Sequence, residues 1–188
     1  AKNGQISIAV DSVEGIRRLA AALDKVHASM RVFVEIDVGQ NRCGVQPGAP
    51  ALALAQEVLR HPQLHFAGLQ AYHGKAQHLR SAAARAEAIQ HVVQAVRSTR
   101  ALIEAAGIPV PLVTGAGTGT FIHEAASGVY GELQPGSFLF MDADYAANER
   151  DPAAPMFEHA LFVKTQVISV CATHAVCDAG HKSHAIDS

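Results

Sequence analysis

Apolar residues in this chain follow two habits that take turns. Mostly apolar runs occur at Ile6 to Val10, Val32 to Val38, Leu64 to Ala71 and Val110 to Thr114, the second of them rich in β-branched residues. Between them apolar residues recur at helical spacing: Ile16, Leu19, Ala20, Leu23 and Val26, then Ala49 to Arg60, then an Ala-rich stretch from Ser81 to Ala106. A run that is apolar on both faces suits a strand inside a parallel sheet, whereas an apolar stripe every three to four residues is one face of a helix. Asp11 or Ser12 can cap the first helix, with Glu14 in its first turn, and Gly107 with Pro109 closes the long third one. Phe121 to Ala126 predicts a further helix, and Phe138 to Met141 a fifth strand after the turn Gln134, Pro135, Gly136. The alternation predicts an α/β fold: a parallel sheet with helices over its outer face.

After Asp142 the pattern changes. Ala143 to Pro155 reads as an irregular loop, and Leu161 to Val170 and Ala175 to Asp178 read as strands with no helix between them. Residues 1–155 are therefore expected to form the β/α part and residues 156–188 the beginning of a β-rich region.

Composition narrows the function classes. The 188 residues are 49% hydrophobic with a formal net charge of −2, which leaves no basic stripe for a nucleic acid. No run reaches the ~18 apolar residues of a membrane span, and no signal-peptide pattern opens the chain. Cys43, Cys171 and Cys177 are too few for a disulfide framework, so a cytoplasmic protein with reduced thiols is expected. The first residue, Ala1, lies close to a strand and the last residues follow a strand and turn, so the chain reads as part of a longer protein.

Polar and small residues gather where the strands end, which is where ligands bind in barrels and open α/β sheets. The fourth run leads into Gly115, Ala116, Gly117, Thr118, Gly119 and Thr120. Such a loop leaves backbone N–H groups uncovered for an anion, and the two threonine hydroxyls complete a phosphate cup. Its spacing is neither the dinucleotide G-x-G-x-x-G nor a P-loop, and an ordinary strand-to-helix turn would look the same. Gly136 and Ser137, placed before the expected fifth strand, can reach the same anion. The second strand ends in Glu35, Asp37, Gln40, Asn41 and Arg42, where the charges are either a structural Asp–Arg pair or functional. The third ends in Gln70, Tyr72, His73, Lys75 and His78: Tyr can lie against a flat ring and His can move a proton near neutral pH, although either His can equally be a surface residue. Together these ends describe a pocket for a phosphorylated, planar, aromatic molecule.

The runs VEIDVGQNRCGV, FAGLQAYHGKAQH, GAGTGTF, SGVYGELQPGSFLFMDADYAANE and VCDAGHKS resemble D-threonine aldolases. These are fold type III pyridoxal-phosphate enzymes with the alanine-racemase type of barrel, related to D-serine dehydratases and 3-hydroxy-D-aspartate aldolases. The resemblance implies a parallel (β/α)8 TIM-type barrel, of which about five strands are present here, followed by the start of a β-rich domain. It implies pyridoxal 5'-phosphate as cofactor, a divalent metal (Mn, Mg or Zn), and aldol cleavage of a D-3-hydroxy amino acid to glycine and an aldehyde. The alternative is a D-serine or 3-hydroxy-D-aspartate dehydratase or aldolase on the same fold. Arg42 resembles the arginine near the cofactor's phenolic oxygen, and Tyr72 the side chain against the pyridine ring. Gly117, Thr118 and Gly119 look like the phosphate loop, with Gly136 and Ser137 as its second contact. Gln134 falls where alanine racemases carry an arginine to the pyridine nitrogen, and His78 resembles the proton-transfer histidine. The Schiff-base lysine of such enzymes lies on the first barrel strand and their metal ligands in the C-terminal domain. Neither stretch is matched, so Lys75 is not expected to be that lysine, and the metal ligands are expected outside the chain. A homodimer is implied for the intact protein.

Two rival readings remain. One is a non-catalytic pyridoxal-phosphate-binding barrel, against which the continuation through Leu161 to Asp178 speaks. The other is a metal module on His174, Cys177, Asp178, His181 and His184.

Overall fold

A computed structural model describes residues 6–180. Five strands, β1 (Ser7–Val10), β2 (Met30–Glu35), β3 (Leu64–Ala71), β4 (Leu112–Gly115) and β5 (Glu132–Leu133), form one sheet in sequential order. Every pairing in it is parallel. Helices α1 (Val13–Lys25), α2 (Ala49–Leu59), α3 (Ala82–Ala105) and α4 (Phe121–Ala126) make the connections, as in an arc of a TIM-type barrel.

The helices form where local signals coincide with an apolar stripe. The Ser12 hydroxyl accepts from Gly15 N at 3.1 Å and caps α1, so Ser12 rather than Asp11 is the cap. Ile16, Ala20 and Leu23 then bury one face of α1. Ser81 caps α3, which buries Ile89, Val92, Val96 and Ile103 along its 24 residues. These side chains pack with Val32, Val34, Ile36, Leu69 and Val113 of the sheet in one continuous core. Each Leu, Ile or Val side chain so buried contributes roughly 1.5–3 kcal/mol, which is what holds the helices on the sheet.

The fifth strand is not where the apolar pattern puts it. β5 is Glu132–Leu133, paired with Thr114 and Gly115 of β4. Phe138 and Leu139 instead lie in a 3-10 turn, Ser137–Leu139; Leu139 and the following Phe140 are exposed, and Phe138 packs its ring on Phe157 at 5.4 Å. A strand of two residues with Glu at its head carries no readable hydrophobic period. Gly136 and Ser137 thus follow the fifth strand and lie with the other C-terminal strand ends.

Part of the expected irregular loop is a short helix, α5 (Ala143–Ala146), capped by Asp142, which accepts from Tyr145 N at 2.8 Å. Beyond it, β6 (Val167–Val170) and β7 (Ala175–Cys177) pair antiparallel as a separate hairpin that starts a β-rich region. Among the described residues no helix is long and apolar enough to cross a membrane.

Candidate functional site

The loop after β4 starts under strain. Ala116, fully buried, has φ 71, a conformation non-glycine residues rarely adopt. The chain then doubles back, with Thr120 N and Phe121 N both donating to Gly117 O at 3.2 and 3.0 Å. The turn after β5 lies beside it: Gln134 N donates to Gly115 O at 2.7 Å, and Phe138 N to Thr118 Oγ1 at 3.1 Å. Among the described residues the backbone N–H groups of Gly117, Thr118 and Gly136 have no hydrogen-bond partner. These three residues line a cleft of about 220 Å3 with Arg42, Tyr72, Ser137 and Tyr145. Three polarised N–H groups, a serine and an arginine suit an anion.

Arg42 is delivered by a loop that folds on itself. Asp37 Oδ1 accepts from Gly39 N at 2.9 Å and Asn41 N at 3.0 Å. Burial pushes the Asp37 carboxyl up, but the N–H groups of Asn41, Gly39 and Gln40 together hold it below the usual carboxylate range. The loop closes where Asp37 N donates to Val45 O at 2.8 Å and Val45 N to Glu35 O at 3.0 Å. The structural Asp37–Arg42 pair open in the sequence is therefore not formed; the Arg42 guanidinium stands 5.7 Å over the Tyr72 ring instead. Glu35, on β2 below, has a raised pKa, chiefly from burial, against which the Arg42 charge works.

Gln70 and Gln134, which also line the cleft, end a polar chain that runs into the sheet. Glu132 Oε1 accepts from the Thr114 hydroxyl at 2.6 Å, and that hydroxyl accepts from Gln134 Nε2 at 3.0 Å. Gln134 and Gln70 exchange two amide hydrogen bonds, each 3.1 Å. A neutral amide pair, not a cation, thus faces the cleft at Gln134.

Of the residues singled out in the sequence, Arg42, Tyr72, Gly117, Thr118, Gly136 and Ser137 come together here. Gly119 and Thr120 do not share the cleft. Gly119 N donates to Gln77 Oε1 at 2.8 Å. The Thr120 hydroxyl is fully buried, accepts from Gln77 Nε2 at 2.7 Å and donates to Glu124 Oε1 at 2.9 Å, so it is not part of a phosphate cup. His78 lies one layer out, half exposed: its Nδ1 is 2.5 Å from Asp144 Oδ2, and its ring lies 5.4 Å from that of Tyr145. Asp144 is held below the usual carboxylate range, first by its bond to Arg80 and then by His78. An ionised carboxylate only accepts, so Nδ1 is the donor in this contact. His73 is half-buried against Gly39, where a Cβ would come within 2.7 Å of Nε2, and its pKa is lowered, mainly by burial. It supports the Arg42 loop and, like Lys75, does not line the cleft.

Sequence reasoning passed over Gln77, Tyr145 and the 142–149 stretch. That stretch docks onto the end of the third strand's loop: Glu149 N donates to Arg80 O at 2.8 Å, Ala82 N to Glu149 Oε2 at 2.9 Å and Asn148 Nδ2 to Gln77 O at 2.9 Å. Tyr145 reaches the cleft, its phenol pushed up by burial and opposed by a bond with Ser137. The cap signal Asp142, three residues before Tyr145, was the one readable clue to a helix there.

The hairpin provides no metal centre among the described residues. His174 Nδ1 lies 3.2 Å from Cys171 Sγ, and Asp178 accepts from Gln166 N and Thr165 Oγ1. His181 and His184 of the metal-module reading lie outside the described residues, among which no group of three or more His, Cys, Asp or Glu comes together.

Residues 1–144 match the family model described as alanine racemase, N-terminal domain. Over 97% of its length the chain is 45% identical to a D-threonine aldolase from Arthrobacter sp, covering 48% of that protein. It is 38% identical to a 3-hydroxy-D-aspartate aldolase from Paracoccus denitrificans (strain Pd 1222), covering 97% of this chain and 49% of that one. The crystal structure of D-threonine aldolase from Filomicrobium marinum superposes with a TM-score of 0.90 at 43% identity, again over 97% of this chain and 49% of that one. The chain thus spans about half the length of the curated relatives it matches. With an arc of parallel strands, its chemistry at their C-terminal ends and this match, the chain belongs to the alanine racemase N-terminal domain family.

Proposed function

We propose that this chain is the cofactor-holding portion of a pyridoxal-phosphate-dependent lyase that cleaves D-3-hydroxy amino acids, D-threonine first, to glycine and an aldehyde. The observation that carries it is the convergence of free backbone N–H groups at Gly117, Thr118 and Gly136 beside an arginine stacked on a tyrosine. That cleft fits a phosphate at one end and a flat ring along Tyr72, and the likeness to the Arthrobacter D-threonine aldolase favours the reaction. Gly117, Thr118, Gly136 and Ser137 would hold the phosphate, with Gly119 shaping the loop behind them. Arg42 and Tyr72 would orient the ring, and the Gln70–Gln134 pair would meet its far side. When bound, pyridoxal phosphate supplies the electron sink that Cα–Cβ cleavage needs.

His78 is the residue proposed to take the proton from the substrate's β-hydroxyl. In the neutral ring, Asp144 at Nδ1 fixes the tautomer with Nε2 as acceptor, the arrangement a general base requires. The ring's contact with Tyr145 links it to the cleft. A divalent metal belongs to the same reading, with ligands outside this chain, as do a homodimer and a cytoplasmic location. The likeness to a 3-hydroxy-D-aspartate aldolase supports a second reading that differs only in substrate.

The test uses the intact protein with pyridoxal phosphate and a divalent metal. D-threonine is expected to give glycine and acetaldehyde in equal amounts, and His78→Asn to keep bound-cofactor absorbance while kcat falls roughly 10²-fold. Ammonia with a keto acid in place of glycine would make the protein a dehydratase. Cleavage of 3-hydroxy-D-aspartate alone would favour the second substrate. Turnover of His78→Asn within a fewfold of wild type would remove His78 from the role.

A further inference from the structure

Gln77 is polar, uncharged and 0% exposed, an expensive place for an amide unless every polar atom is satisfied. Its Oε1 accepts from Gly119 N at 2.8 Å, and its Nε2 donates to Thr120 Oγ1 at 2.7 Å and to His73 O at 3.2 Å. Thr120 passes the contact to Glu124 Oε1 at 2.9 Å. One side chain from the loop after β3 therefore clamps both ends of the Gly119–Thr120 step and anchors it to its own strand end. The glycines follow from that clamp. A Cβ on Gly117 would come within 2.6 Å of Gln77 Cδ and Oε1, and one on Gly119 within 2.6 Å of Gln77 O. The loop can lie this close to Gln77 only because neither residue has a side chain there. With Gly119 N turned back to Gln77, the N–H groups left for the cleft are those of Gly117 and Thr118.

We propose that Gln77 is a positioning residue for the phosphate: by holding Gly119 and Thr120 from behind, it pre-forms the Gly117–Thr118 N–H groups that face the cleft. The inference rests on the proposed reading of this cleft as a cofactor-phosphate site. Pre-formed donors bind an anion without first being ordered, so removing the clamp lowers affinity for the phosphate end of the ligand and leaves the ring end alone. The role also explains why an amide is needed: only an amide accepts from Gly119 while donating to a carbonyl and a hydroxyl.

The experiment measures equilibrium binding of pyridoxal 5'-phosphate and of pyridoxal, which lacks the phosphate, to the intact protein and its variants. Gln77→Met keeps length and removes all three bonds. Should it fail to fold, Thr120→Val keeps shape and removes the hydroxyl that Gln77 holds, and Thr120→Ser restores that hydroxyl. The expected result is a Kd for pyridoxal phosphate raised about 10-fold or more in Gln77→Met or Thr120→Val, the value of roughly one buried hydrogen bond, with pyridoxal within about 2-fold of wild type and Thr120→Ser near wild type. Equal weakening of both ligands would make Gln77 a support of the fold alone and overturn the inference, as would unchanged affinity for both. Wild-type protein that binds pyridoxal phosphate no better than pyridoxal would overturn the phosphate-site reading itself, a different outcome read from a different sample.

Discussion

The loops after β2 and β4 both bring residues to one cleft, but they are held by opposite means. The first is tied by its own residues: the Asp37 carboxylate gathers the N–H groups of Gly39 and Asn41 a few positions along. Longer ties add to this: Gly44 N donates to Asp11 Oδ2 at 3.1 Å at the end of β1, and Lys75 N to Gln40 Oε1 at 2.8 Å beyond the end of β3. The second doubles back on Gly117 O through Thr120 N and Phe121 N, but its Gly119–Thr120 step is held from a distant part of the chain. Its shape depends on Gln77, more than forty positions upstream, and on the buried Thr120–Glu124 pair behind it. A charged, half-exposed tie can be replaced by water at modest cost, whereas a buried neutral network fails as a unit. The Arg42 loop should therefore tolerate local change, and the loop after β4 should not.

The largest expected effect lies behind the second loop. Burial pushes the Glu124 carboxyl from the ordinary 4.5 up to about 7, with the Thr120 hydroxyl opposing. Among the described residues its Oε2 has no hydrogen-bond partner, and the phenol of Tyr130, itself raised mainly by burial and further by Glu124, lies nearby. Because the folded state binds this proton more tightly than the unfolded state, stability is full below about pH 4.5 and declines as pH rises to about 7. The loss amounts to about 3 kcal/mol, from 1.36 kcal/mol per pKa unit. Glu124→Gln removes the titration. Thermal unfolding of the intact protein at pH 5 and pH 8 should show the variant losing less stability than wild type across that interval, and parallel losses would refute the assignment.

A smaller effect is expected at the self-tied loop. Asp37→Ala frees two N–H groups that water can reach, costing about 1 kcal/mol of local order. Hydrogen exchange at residues 38–44 should accelerate while the amides around Gly117 and Gly119 keep wild-type protection. If both loops loosen together, they are one unit and the contrast drawn between them is wrong.

The smallest is Arg42→Lys. The charge stays, but the planar group over Tyr72 is lost, and a stacking contact at a partly exposed site is worth about 0.5–1 kcal/mol. Affinity for pyridoxal phosphate should fall about 2- to 5-fold. A loss as large as that expected for Gln77→Met would show that Arg42 does more than stack.

Much of this was legible from residues alone, and the reason is range. Strands β1 to β4 and helices α1 to α3 fall where the apolar pattern puts them, because each signal lies within a few residues of the element it sets. The Gly-rich end of β4, Arg42 and Tyr72 stood out because small or charged residues at strand ends have few ordinary uses in a buried sheet. What tertiary structure decided is what depends on neighbours distant in sequence. β5 is a strand because β4 offers Thr114 and Gly115 as partners, and Glu132–Leu133 has no period of its own. Gln77 reads as one polar residue in a polar loop until folding brings Gly117, Gly119 and Thr120 against it. Hydrophobic burial is written locally, position by position, whereas the satisfaction of a buried polar atom is a property of a pair, and the chain alone does not say which residues will meet.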